Sequence, residues 1–129
     1  MSLFRSELLL RDNTDGKHFT LIGPLHYSSD LLTRDVYVPG GFITDFASIP
    51  RGLWNVLPKI GKYDRAAVIH DFLYVTDGMT RRLADAVLWE ACAVCGVSLW
   101  QQRVIYWGVR LGGWRTWNRY RAAQRWTLR

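Results

Sequence analysis

The stretch Tyr63-Asp-Arg-Ala-Ala-Val-Ile-His-Asp-Phe-Leu-Tyr74 constrains this chain most. After Arg65 it is apolar on nearly every side, with His70 and Asp71 as the exceptions. A helix that is hydrophobic almost all round belongs in an interior, so other elements must cover it on several faces. Two adjacent ionisable groups there are costly unless they are paired, metal-bound or hydrogen-bonded. One reading is a core histidine satisfied by a carbonyl, with Asp71 reaching the surface. The other is a pair kept for chemistry or for one specific internal bond.

The cover can come from the chain itself. Its 129 residues suffice for one domain with a real core, taken here as residues 1–129. A hydrophobic share of 49% argues against disorder. The best transmembrane candidate, Ala86 to Trp100, is too short and carries Glu90. The first residues lack the charged start, apolar run and cleavage site of a signal peptide, so the chain is expected in the cytoplasm or carried elsewhere by a larger assembly. Cys92 and Cys95 form a C-x-x-C late in an expected helix with no second pair to complete a zinc site. They are read as small hydrophobes rather than as a redox or zinc centre.

The expected fold is α+β: a short antiparallel β-region over residues 1–45, then a bundle of about four helices over 46–129. Leu8-Leu-Leu10, Phe19-Thr-Leu-Ile22 and Val36-Tyr-Val38 are rich in strand formers, and Asn13-Thr-Asp-Gly16 reads as a hairpin turn. Phe42-Ile43 begins a further strand or an extended loop. Ser48-Ile-Pro50 signals a short helix from Arg51 to Leu57. The His-Asp helix follows, with Asp64 a candidate N-cap and Asp77-Gly78 its stop. Thr80 caps a helix from Arg81 to Cys95, which Gly96 closes. Its core stripe is Ala84, Val87, Leu88, Ala91 and Cys95. Ser98-Leu-Trp-Gln101 fits a capping box for another helix, which Gly112-Gly113 kinks or splits.

On one helix His70 and Tyr74 share a face, while Asp71 is rotated by about 100°. His70 and Asp71 can therefore flank a site but not aim along one line. Asp85 is fifteen residues after His70. With a tight turn midway the two helices pack antiparallel and Asp85 can face the imidazole. A carboxylate on one ring nitrogen fixes the tautomer, and the other nitrogen can then take a proton from water. The competing reading makes Asp85 an ordinary exposed residue. Upstream, Gly40-Gly-Phe-Ile-Thr-Asp-Phe-Ala-Ser-Ile-Pro-Arg51 gathers turn formers and small polar groups. Asp45 can offer an oxygen to a hard cation such as calcium, and Thr44, Ser48 and Arg51 are candidate binding residues. Alternatively Thr44, Asp45 and Ser48 cap the short helix.

Three stretches together resemble a family of small phage- and prophage-encoded domains of unknown function: Gly41 to Arg51 (Gly-Phe-x-Thr-Asp-x-Ala-Ser-x-Pro-Arg), Ala66 to Tyr74 (Ala-Ala-x-x-His-Asp-x-Leu-Tyr) and Arg82 to Asp85 (Arg-x-Ala-Asp). The resemblance implies a bacteriophage origin, in a virion or in the host cytoplasm. More distantly, Asp64-x-Ala-Ala-x-x-His-Asp-Phe-x-Tyr74 followed by Ala84-Asp85 resembles the active-site helices of phospholipase A2, particularly the disulfide-free kind of parvovirus capsids. That resemblance implies His70 as general base, Asp85 as its orienter, Tyr74 as support and Asp71 as a ligand of calcium, the implied cofactor. The chain departs from it in placing Gly40-Gly41 about thirty residues before the pair and in its β-rich first third.

Three functions follow as expectations: a hydrolase-like phage domain acting on the host envelope, a non-enzymatic virion or tail component with a structural His-Asp pair, and a peptidoglycan-active enzyme. The last would want paired carboxylates or a zinc site, and no strong set for either stands out. The net charge of +6 has one source. Residues 101–129 hold seven arginines and no acidic residue, against a net of −1 in the first hundred. This tail, where Trp107, Trp114, Trp117 and Trp126 alternate with arginines, is expected to dock on other phage proteins or an anionic membrane. No recognised fold supports specific nucleic-acid binding.

Overall fold

The computed structural model describes residues 1–14, 18–44, 63–76 and 78–127, with side chains as far as 122. The described chain begins with six short strands: β1 (Leu3–Phe4), β2 (Leu10–Asp12), β3 (Phe19–Leu21), β4 (Leu25–Ser29), β5 (Arg34–Val38) and β6 (Ile43–Thr44). Four helices follow: α1 (Asp64–Val75), α2 (Arg81–Val94), α3 (Leu99–Gly112) and α4 (Trp114–Thr127). The expected α+β order is what the protein adopts.

The strands form two antiparallel three-stranded sheets, ordered β1-β4-β5 and β2-β3-β6. Strands β2 and β3 pair antiparallel with Leu10 opposite Leu21, and Asp15 and Gly16 of the expected turn lie outside the described residues. The first β-run begins two residues later than the sequence suggests; Leu9 is exposed, while Leu8 and Leu10 pack on the core. Strands β1 and β4 are absent from the sequence expectation. In Leu25-His-Tyr-Ser-Ser29 the polar residues hide the pattern, yet β4 is the centre of its sheet. Ser28 and Ser29 are both buried, and each is satisfied from elsewhere in the chain: the Arg5 Nε–H donates to Ser28 Oγ at 2.7 Å, and the Ser29 hydroxyl donates to Glu90 at 2.7 Å.

Helix α1 is covered as its composition demands. Ala66 to Asp71 are buried without a break, as are Leu73 and Tyr74. Asp64 is not its N-cap: Tyr63 holds that position, and Asp64 is the first helical residue, where a carboxylate suits the helix dipole. Thr80 caps α2 by accepting from Leu83 N–H, and Gly96 terminates it at a φ of +77°. Of the expected core stripe, Ala84, Val87, Leu88 and Ala91 are buried, while Cys95 is only partly so and Cys92 takes the interior position. Ser98 does precede α3, but its hydroxyl bonds the Gln101 side chain at 2.9 Å instead of a backbone N–H, so the capping box is not formed.

Gly113 separates α3 from α4. A β-carbon there would lie 2.5 Å from the Val109 carbonyl oxygen and 2.7 Å from the Tyr74 hydroxyl, so the junction needs a glycine for close approach. The close fit also means that the tail is no loose appendage. Along α4, Thr116 is buried, Trp117 meets the Tyr74 ring edge-on at 5.2 Å, and Arg121 donates to the carbonyls of Thr76 and Met79. Truncation after Gly113 would therefore remove part of the core. The expected short helix from Arg51 to Leu57 lies outside the described residues.

Candidate functional site

The site follows from the antiparallel packing of α1 on α2. His70 and Tyr74, one turn apart on α1, both reach Asp85 on α2. His70 Nε2 lies 2.6 Å from Asp85 Oδ1, and the Tyr74 hydroxyl donates to the same oxygen at 2.7 Å. The other oxygen, Oδ2, accepts from Arg110 of α3 at 2.8 Å and from Arg81 at a longer 3.4 Å. Arg81 also donates to the carbonyls of Val109 and Arg110 at the end of α3. One carboxylate thus draws in side chains from three helices. His70 and Asp85 are both 0% exposed. The exposed-surface reading of Asp85 does not hold, and the reachable-partner reading does.

The electrostatics follow from burial and from these donors. Burial would push the Asp85 carboxyl up, but the bonds from His70, Tyr74 and Arg110 more than offset it and hold the group below its ordinary value. Asp85 is therefore ionised, with two partly exposed guanidinium groups beside it. For His70 burial dominates and lowers the pKa, with the Asp85 bond and charge opposing and Arg81 adding to the fall. The two directions agree with a neutral ring whose Nε2–H donates to an ionised Asp85. An ionised carboxylate only accepts, so the proton must sit on Nε2. Burial also raises the Tyr74 pKa, helped by its bond to Asp85, so the phenol stays a donor.

Asp71 takes a different direction, as its rotation on α1 requires. Its Oδ2 accepts from the Thr44 hydroxyl of β6 at 2.6 Å, and Tyr120 of α4 reaches Oδ1 at 3.4 Å. Thr44 and Asp71 are both buried, so the pair fastens the second sheet to the helices. The sequence expectation that Asp71 reaches the surface, under the structural reading, is not met. Asp45, Ser48 and Arg51 lie outside the described residues.

Calcium needs six to eight oxygen ligands at a hard site. Among the described residues no group of three His, Cys, Asp or Glu side chains could hold an ion. Asp71, the one expected ligand that is described, already accepts from two hydroxyls. Asp45, the other residue expected to meet the ion, lies outside the described residues. Both cysteines are free, and burial pushes the Cys92 thiol up to about 12, far from a reactive thiolate.

Sequence reasoning misses Arg81 and Arg110. Arg81 has a local signal, since it precedes Asp85 by four residues on one helix face. Arg110 has none, because its contact crosses twenty-five residues.

An α+β protein with a buried His-Asp-Tyr cluster between antiparallel helices is thus the class that fold and site define. The chain belongs to the family described as Protein of unknown function (DUF1353), whose pattern matches residues 19–109 and so takes in Thr44, His70, Asp71, Tyr74, Arg81 and Asp85. It is also similar to a protein of Sinorhizobium fredii (strain NBRC 101917 / NGR234), "Uncharacterized protein y4jT", with 33% identity over 78 residues. That alignment covers 59% of this chain but 23% of the relative, so the chain spans under a quarter of that protein's length. No solved structure matches. Among the described residues no helix is long and apolar enough to cross a membrane.

Proposed function

We propose that this chain is a bacteriophage-encoded hydrolase-like domain whose centre is the His70-Asp85 pair, with ester bonds of envelope phospholipids as the substrate class. The observation that carries the proposal is the shared Asp85 Oδ1, held by His70 Nε2 at 2.6 Å and by the Tyr74 hydroxyl at 2.7 Å. That arrangement supports a base whose tautomer is fixed. In that role His70 would take the proton from water as the water oxygen adds to the ester carbonyl, and would return it to the leaving alkoxide. The lowered pKa of His70 favours the role, since a base must be neutral to accept. Arg81 and Arg110 lie on the other side of Asp85 and stabilise its charge. The phage assignment draws its support from the combined motif pattern at Gly41 to Arg51, Ala66 to Tyr74 and Arg82 to Asp85.

One observation favours a second reading, a virion or tail component with a structural cluster: His70 and Asp85 are both completely buried. The two readings separate in one assay. Full-length protein is incubated with vesicles of ester-linked anionic phospholipid, with calcium and with chelator, and released fatty acid is measured. Loss of a positioned general base should lower the rate of His70→Ala by about 10² to 10⁴, and circular dichroism reports whether the variant is folded. Absence of release by the wild type in every condition, or equal release by a folded His70→Ala, defeats the hydrolase and leaves the structural cluster.

A further inference from the structure

The outward face of α3 is apolar where the fold has no use for it. Trp100, Arg103, Trp107 and Leu111 recur at i, i+3, i+7 and i+11, which places them in one stripe about 16 Å long. Trp100 is 55%, Trp107 58% and Leu111 75% exposed. Trp114 opens α4 just beyond the stripe at 48% exposure, with the Arg115 guanidinium 5.2 Å from its ring centroid. Gln102, Ile105 and Val109 on the opposite face are the buried ones, so α3 is anchored without the stripe. Single exposed hydrophobes are ordinary, but a contiguous run of this kind marks an interaction surface.

Charge decides what covers it. Residues 101–129 carry seven arginines and no acidic side chain; Arg110 and Arg121 are engaged by Asp85 and by the Thr76 and Met79 carbonyls, while Arg103 lies in the stripe and Arg115 beside Trp114. The occupant must be apolar and anionic together. A second copy of this chain would bring like-charged guanidinium groups face to face. Nucleic acid would suit the arginines and leave Leu111 in water. An acidic bilayer suits both: indole and leucine side chains enter the headgroup–acyl boundary, and arginines meet lipid phosphates. A cleft of about 560 Å³ walled by Trp89, Tyr106, Trp107 and Leu31 continues the apolar surface. Glu90 also lines this cleft, but its carboxylate accepts from Tyr27, Ser29 and the Leu31 N–H, which draws it toward the sheet.

We infer that the Trp100–Trp107–Leu111–Trp114 face docks this protein on anionic phospholipid bilayers. The inference rests on exposure and charge and is independent of the hydrolytic reading. The test uses the full chain and sucrose-loaded vesicles of ether-linked phosphatidylcholine, with or without ether-linked phosphatidylglycerol. Ether lipids offer no carboxylic ester, so failure of hydrolysis and failure of docking are distinguishable. The wild type should sediment with the phosphatidylglycerol vesicles and show a blue shift of indole emission. Trp107→Ser/Leu111→Ser should weaken binding by about tenfold or more. Arg103→Glu should weaken it by about fivefold or more. Tyr37→Ser, which removes an equally exposed aromatic of β5, should bind as the wild type does. Thermal melts verify that each variant is folded. The inference is overturned if the wild type stays in the supernatant, if a folded Trp107→Ser/Leu111→Ser sediments undiminished, or if duplex DNA retains the protein and the vesicles do not.

Discussion

Two carboxylates on α2 do similar mechanical work with different chemistry. Asp85 faces α1 and α3; Glu90, five residues on, faces the sheet. Glu90 Oε1 accepts from the Tyr27 hydroxyl and the Ser29 hydroxyl, both at 2.7 Å, and Oε2 from the Leu31 N–H at 2.8 Å. Its donors are all neutral, and the result is a knot between helix and strand. Asp85 gathers side chains from three helices and uses an imidazole, a phenol and two guanidinium groups. Cross-linking alone needs no histidine and no cation, as Glu90 demonstrates. The surplus at Asp85 is a titratable ring held in one tautomer, and that surplus makes Asp85, rather than Glu90, the centre of the candidate site.

The comparison breaks most visibly on truncation. Asp85→Ala strands a buried imidazole and removes the counter-charge of Arg81 and Arg110. Loss of one partner of a buried charged network costs about 3–5 kcal/mol, and chemical denaturation at neutral pH should show a loss of that order. Glu90→Ala takes the acceptor from the hydroxyls of buried Tyr27 and Ser29 and should cost about 1–3 kcal/mol. Equal losses at the two positions would erase the distinction between them.

A third variant sharpens it by entering from the side. Gly113→Ala places a methyl group 2.7 Å from the Tyr74 hydroxyl and 2.5 Å from the Val109 carbonyl oxygen. Overpacking of this kind costs about 1–3 kcal/mol. It should also displace Tyr74 from Asp85 while leaving the Glu90 knot intact. Tyr74 and Tyr27 ring resonances read the two sites separately, and a change at Tyr27 alone would contradict the placement of Gly113.

Much of the fold and of the site is legible in the amino-acid sequence, and the remainder is hidden for identifiable physical reasons. The burial of α1 follows from its all-round apolar surface, and the His70–Asp85 contact from a turn midway between the two residues. The Thr80 cap and the Gly96 stop are local signals, and both form as the sequence indicates. Strand β4 is hidden because Ser28 and Ser29 are buried polar residues whose partners, Arg5 and Glu90, are remote in sequence. Arg110 is hidden for the same reason. The tail illustrates a mixed pattern. Its alternation of tryptophan and arginine suggests one docking surface, but Trp117 and Arg121 turn inward to α1 while Trp107 and Trp114 stay exposed. Periodicity assigns faces to a helix; only the packing partner decides which face is the inner one.

The smallest effect separates the two carboxylates by pH. The folded His70 pKa lies below its ordinary 6.5, first through burial and then through Arg81, against the opposing pull of Asp85. The unfolded chain therefore binds a proton near 6.5 that the folded chain still refuses. Stability is fully present above that value and falls as pH drops toward the folded pKa. Asp64, whose pKa is raised by burial, acts with the opposite sign in acid, since protonation relieves its cost. The lowered pKa of Asp85 places its own loss of stability below the usual carboxylate value of 3.8, outside the histidine window. Subtraction isolates the ring: the melting temperature of the wild type should fall between about pH 7 and about pH 5, and that of His70→Asn should fall less. A His70→Asn slope as steep as the wild type's would assign the titration elsewhere and remove the chemical difference between Asp85 and Glu90.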